Sequence, residues 1–225
     1  MKPPNFAATL LITMLVASLP ATAAQLKLTV LNADGKPAQD VAVQVAPTAA
    51  WASQPLPPPV VILQQNIRFV PFVTVVPVGA TVRFINKDKF DHHVRSQPSG
   101  PLGNVAPAKQ FEFRLAAAKD GRDSTAADLK LDTAGIVALG CHLHGSMRGH
   151  LLISSTPWVA VTDDKGQVMI DNLPDGQAEI KVWHPDQLSD QATTQVQASG
   201  TFSAEARLNF SPRVRSTVIR PSREY

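Results

Sequence analysis

Three observations predict that this chain is all-β and built of packed sandwiches. Short segments rich in β-branched and aromatic residues recur along it, and many alternate apolar with polar positions. Gly, Pro, Asn or Asp bounds almost every one of them. Helical periodicity is hard to find: the best candidate, LAAAKDGRDSTAADLKL, is interrupted by Gly121 and has little apolar face.

The elements follow in order. Residues 1–24 open with Met1-Lys2, continue through an apolar run from Phe6 to Leu19, and end in PATAA, small residues of the kind a signal peptidase cuts. This reads as a secretory signal rather than an anchor, because the run falls short of the roughly 20 residues a membrane span needs. The expected location is therefore the periplasm, with no stable membrane insertion. Residues 25–47 hold two strands, LKLTVLN and VAVQVAP, around an Ala-Asp-Gly turn. Residues 48–57 begin a proline-rich extended linker. Residues 58–155 carry the strands FVTVVPVG, TVRFIN, FEFRL, GIVALGC and HLLISS. Residues 156–210 hold a hairpin around Asp-Asp-Lys-Gly, then a Leu-Pro-Asp-Gly turn into AEIKVWH. Neither flank has enough strands to stand alone, so 25–47 and 156–210 are expected to pack into one small sandwich, with 58–155 inserted between them. Residues 211–225 form a basic tail with Arg213, Arg215, Arg220 and Arg223, expected to be solvated and flexible.

Composition limits the function. The net charge of +3 falls to +2 without Lys2, too little to argue for nucleic acid, and no basic run with interleaved aromatics appears. No internal disulfide is possible with a single cysteine, Cys141. A lone thiol outside the cytoplasm is an oxidation hazard unless something occupies it, and metal ligation would do so.

The chemistry concentrates in GCHLHGSMRGH, Gly140 to His150. Soft thiolate, borderline imidazole and soft thioether together suit copper, above all Cu(I), and suit magnesium or calcium poorly. Zinc stays open on softness alone, although Met is not a usual zinc ligand. Cys141, His144 and Met147 are spaced by three in a short loop between two strands, which can fold all three side chains inward around one ion. A further imidazole must come from elsewhere. His92 and His93 follow the strand TVRFIN; being adjacent on an extended chain they point to opposite faces, so only one can enter the cage. His142 and His150 read as surface or supporting residues, and His184 as a strand cap. AKQFEFRL, with Phe111 and Phe113 alternating against Gln110, Glu112 and Arg114, is an ordinary half-buried strand with no chemistry assigned.

FINKDKFDHHV followed by GCHLHGSMRGHLLI resembles the cupredoxins, most closely the plastocyanin and amicyanin type. These carry an Asn, the first His six residues later followed by x-Val, and a closing Cys-x-x-His-x-x-Met. Asn86, His92 and Val94 match that spacing. The resemblance covers roughly residues 58–155 and implies a Greek-key sandwich holding one mononuclear copper ion on His92, Cys141, His144 and Met147. Three departures stand out. His93 occupies the place of a usual Asn, His142 stands beside Cys141 where other residues are common, and Gly145 takes the place of a frequent Pro, which leaves the loop less restrained. The whole chain also resembles exported bacterial proteins labelled plastocyanin-like or methylamine-utilisation proteins, whose flanks resemble a carboxypeptidase-regulatory or transthyretin-like sandwich.

The expected function is a type 1 copper protein that carries single electrons between transient protein redox partners, docking through an apolar patch near His144 bordered by Leu143 and Gly145. A copper-binding or delivery protein is the alternative, favoured by the extra His93, His142 and His150. With no nucleophile–base pair, paired carboxylates or Gly-rich phosphate loop, no enzyme is expected.

Overall fold

A computed structural model describes residues 23–119, 126–213 and 215. Sixteen strands and no helix occur among them. In chain order they are β1 (Ala23–Leu31), β2 (Ala42–Pro47), β3 (Val60–Gln64), β4 (Phe69–Val70), β5 (Val73–Pro77), β6 (Thr81–Asn86), β7 (His92–Gln97) and β8 (Glu112–Leu115). There follow β9 (Ala127–Lys130), β10 (Gly135–Cys141), β11 (Arg148–Ser154), β12 (Val159–Val161), β13 (Gln167–Pro174), β14 (Gly176–Trp183), β15 (Thr194–Ala198) and β16 (Thr201–Arg207).

The strands form four sheets that pair into two sandwiches. Sheets β13-β1-β16 and β12-β2-β14-β15 enclose one core, filled by Leu26, Leu28, Val43, Val45, Trp158 and Ile180 among others. Sheets β5-β11-β10-β7-β8 and β4-β3-β6-β9 enclose a second, which contains Phe84, Val94, Leu139 and Leu151 and also Cys141 and Met147. Period-two alternation explains both: β1 buries Ala24, Leu26, Leu28 and Val30, and β6 buries Val82, Phe84 and Asn86, so each strand turns one face inward. The first sandwich draws on both ends of the described chain, β1 pairing with β13 and β16, and β2 with β12 and β14. A smaller apolar seam of Ala42, Val73 and Leu152, flanked by Phe72, Ile136 and Trp183, joins the two bodies.

The fold differs from the sequence reading in several places. The strands β15 and β16, on either side of Gly200, were not expected, nor were β3, β4, β7 and β9. β9 lies within the Ala-rich stretch considered as a helix, where it pairs with β6 through Leu129 and Lys130. β1 begins at Ala23, and Ala24 is fully buried and paired with Leu173, so the body of the protein starts inside the stretch assigned to the signal. The rest of that signal, residues 1–22, lies outside the described residues. Arg213 and Arg215, expected in a solvated tail, are instead tied down: Arg213 bonds Asp186, and the Arg215 guanidinium lies 3.2 Å over the Phe72 ring and within 3.9 Å of Asp40. The other tail arginines, Arg220 and Arg223, lie outside the described residues.

Candidate metal centre

Strand order places the site. β10 runs between β11 and β7 in the five-stranded sheet, with Cys141 at its end opposite Val94 of β7. Alternation then sends His92 into the core, fully buried, and leaves His93 on the outer face. The loop after Cys141 returns at Arg148, which pairs with Gly140. Within it the Met147 N–H donates to the His144 carbonyl at 2.9 Å, closing a tight turn, and Met147 is completely buried.

Three of the expected ligands converge. The Cys141 sulfur lies 3.7 Å from His92 Nδ1 and 3.6 Å from His144 Nδ1, and the two imidazole rings are 4.9 Å apart. Metal bonds of about 2.0 Å to nitrogen and 2.3 Å to sulfur hold such atoms roughly 3.5 Å apart at a tetrahedral angle and 3.7 Å at a trigonal one. The three donors therefore fit a single ion. Met147 is fully buried in the same core cluster as Cys141.

The electrostatics suit a thiolate. Burial opposes ionisation of Cys141, but hydrogen bonding from His92, the His93 N–H (3.4 Å), His144 and the Leu143 N–H outweighs it and lowers the thiol to about 6. Burial likewise opposes the charge on His92, yet Cys141 and Asp88 raise its pKa above the ordinary imidazole value. Phe90 packs against both imidazoles, 5.4 Å from the His92 ring and 5.1 Å from that of His144. Leu143, beside His144, is 57% exposed.

Sequence reasoning missed one supporting residue, Asp88, and used another, Asn86, only for its spacing to His92. Asp88 accepts from His92 Nε2 at 2.9 Å, which leaves Nδ1 free to face the sulfur. Its carboxylate also accepts the Asn66 N–H at 2.7 Å and the Ile67 N–H at 3.1 Å. Those two residues have φ of 55° and 59° and close the β3–β4 hairpin as consecutive left-handed positions, an unfavourable geometry for a β-branched Ile. Asn86 is the second. Beyond fixing the spacing to His92, its buried amide donates to the carbonyls of Phe90 and Ala116 and accepts the Asp88 N–H, tying the 87–91 loop into shape. A carboxylate four residues before a histidine is too common for sequence to have singled out Asp88.

The remaining histidines separate. His93 and His142 lie together outside the sheet, both against Glu112, a residue to which the sequence reading gave no chemistry. His150 is not at the surface beside the cage: it packs in the seam, 5.0 Å from the Phe72 ring and 5.9 Å from Trp183. His184 directly follows β14 and is 1% exposed, its Nδ1 accepting the Asp186 N–H at 3.0 Å.

No family model matches the chain, and no curated protein does. Solved structures similar to it include a Cu-containing nitrite reductase from Thermus scotoductus SA-01, at 24% identity over 49% of this chain and 25% of that one, with a TM-score of 0.36. An oxidised amicyanin carrying a single proline-to-glycine substitution is 26% identical over 43% of this chain and 82% of its own, with a TM-score of 0.31. A purple cupredoxin from Nitrosopumilus maritimus is 20% identical over 42% of this chain and 99% of its own, with a TM-score of 0.34. The likeness is to cupredoxins. The chain spans a quarter of the length of the nitrite reductase.

One of these structures is an enzyme, matched over a quarter of its length, so the expectation that the chain is not an enzyme does not stand as made. That expectation rested on missing nucleophile–base pairs, paired carboxylates and phosphate loops. A metal centre that exchanges electrons requires none of those groups.

Proposed function

We propose that the chain is an exported, periplasmic copper protein whose buried centre passes single electrons to and from transient protein partners. The observation that carries this reading is the buried thiolate flanked by two imidazoles at 3.6 and 3.7 Å, with Met147 in the same core. Soft sulfur with borderline nitrogen favours copper over harder ions. His92, Cys141, His144 and Met147 would hold one copper ion, which supplies a one-electron couple when bound.

The protein's part is to hold the donors still. His92 is fixed from behind by Asp88, and Cys141 is fixed by its place at the end of a central strand and by the His93 N–H. Ligands locked by packing and by hydrogen bonds change little between two oxidation states. Phe90 shields the imidazoles from water. His144, half-buried beside exposed Leu143, is the edge through which an electron leaves or enters, and a small apolar patch there suits weak, brief docking.

The test is an optical and electron paramagnetic resonance spectrum of the copper(II)-loaded protein. An intense visible band from the Cys141–copper bond is expected, and Cys141→Ser should abolish it. Absence of the band in the wild type, or its survival in the variant, overturns the proposal. Copper delivery is the second reading, favoured by the half-exposed ligand His144. Rapid loss of copper to a chelator would support delivery, and a resistant centre the carrier.

A further inference from the structure

The alternation that buries His92 and Cys141 sends their neighbours His93 and His142 to the outer face of the same sheet. There they meet Glu112. His93 lies on β7, Glu112 on β8, and His142 directly follows β10, so the three side chains come from three adjacent strands, β10-β7-β8. The His142 N–H also donates to the His93 carbonyl at 3.0 Å, which fixes the two backbones against each other.

The donor atoms converge. One oxygen of Glu112 lies 2.9 Å from His93 Nε2 and 3.1 Å from His142 Nε2, and the two rings are 4.9 Å apart. All three donor atoms fall within 4.8 Å of one another. Two donors bonded to one ion at about 2.0–2.1 Å sit roughly 2.9 Å apart at a right angle and 3.3 Å at a tetrahedral one. The observed separations match. The cross-strand neighbour of Glu112 is Arg95, yet the carboxylate oxygen turns to the two imidazoles. The side chains are 35%, 51% and 41% exposed for His93, Glu112 and His142, so an ion reaches them without opening the core.

We infer that His93, Glu112 and His142 form a second metal site, outside the sheet and back to back with the buried centre, for a divalent transition-metal ion such as copper(II) or zinc(II). Two imidazoles and one carboxylate are donors of borderline and hard character, which select such ions rather than Cu(I). Three protein donors leave positions open for water or a small exogenous ligand, in contrast to the enclosed cage behind them. The two sites are joined by two peptide links, His92–His93 and Cys141–His142, and by the hydrogen bond from the His93 N–H to the Cys141 sulfur at 3.4 Å.

The site goes beyond the proposed electron-carrier function and does not depend on it. The experiment uses the full, untagged chain. Copper(II) is added first until any visible Cys141 band saturates and then beyond that point, with bound equivalents measured by equilibrium dialysis and a second copper signal sought by electron paramagnetic resonance; zinc(II) is titrated in parallel. Wild type is expected to bind one equivalent more than His142→Ala, and Glu112→Gln is expected to weaken that equivalent by at least about tenfold. Far-ultraviolet circular dichroism verifies that the variants, at exposed positions, remain folded. Equal stoichiometry and affinity in wild type and both variants would show a surface ion-pair cluster only and overturn the inference. A missing visible band with the extra equivalent still lost in His142→Ala would sink the carrier function and leave this site standing.

Discussion

Asp88 shows how one side chain can serve two structures. Its carboxylate accepts the Nε2 proton of His92 and the two N–H groups of the Asn66–Ile67 turn, and the residue is only 8% exposed. Removing it strands buried donors, each costing about 1–3 kcal/mol, and frees the His92 ring to rotate. Asp88→Ala is therefore expected to lower stability by a few kcal/mol in urea unfolding and to weaken copper binding about 10–100-fold in chelator competition. Loss of stability with unchanged copper affinity would restrict Asp88 to the turn. At this scale the sequence was legible where the ligand types are rare. Cys141, His144 and Met147 announce themselves by spacing, whereas Asp88 and Glu112 are common surface-type residues whose roles depend on what folds beside them.

Among elements, the turns of the flanking sandwich were the most readable, but the expected hairpin around Asp-Asp-Lys-Gly is a crossing between sheets: β12 pairs with β2 and β13 with β1. Asp-Asp-Lys-Gly links β12 to β13 with Asp163 accepting the N–H groups of Lys165 and Gln167 and with Gly166 at φ 68°. A Cβ on Gly166 would stand 2.5 Å from the Val30 carbonyl oxygen and 2.8 Å from the Ala38 nitrogen, both backbone atoms. Gly166→Ala combines that collision with left-handed strain of roughly 1–3 kcal/mol, so a marked fall in melting temperature is expected. The visible spectrum of the copper-loaded folded protein should not change, since the turn lies in the other sandwich; a changed spectrum would mean that the two bodies share strain. β9, β15 and β16 escaped notice because many of their residues are small or polar. TFSAEAR becomes a strand when β16 lies parallel along β1, and nothing local announces such a partner.

Across the whole molecule the seam between the sandwiches gathers charge. His150 packs there with Phe72 and Trp183, its Nδ1 without a hydrogen-bond partner, while Arg215 covers Phe72 and reaches Asp186 at 3.7 Å. Burial first, and then Arg215, lower the His150 pKa from 6.5 to about 4. Burial, aided by Arg215 and Arg213 and opposed by Asp186, does the same to His184. Both pKa values are depressed on folding, so the unfolded chain takes up protons first as pH falls. The associated stability is complete above about 6.5, is lost between 6.5 and 4, and is flat below. The urea midpoint of the metal-free protein should fall across that window, and His150→Phe, which keeps the ring contacts, should reduce the fall. An unchanged slope in the variant would place the acid sensitivity elsewhere.

By itself the sequence determined the all-β class, the turns and the close spacing of Cys141, His144 and Met147, because alternation, Gly and Asp chemistry and residue spacing are local and survive in any context. Tertiary structure turns His92 to the sulfur, as the resemblance implied, and alone decided which carboxylate stands behind it and that Glu112 lies between His93 and His142. Those outcomes depend on register: a shift of one residue between β7 and β10 would exchange the buried and exposed faces, and only the packed core fixes it.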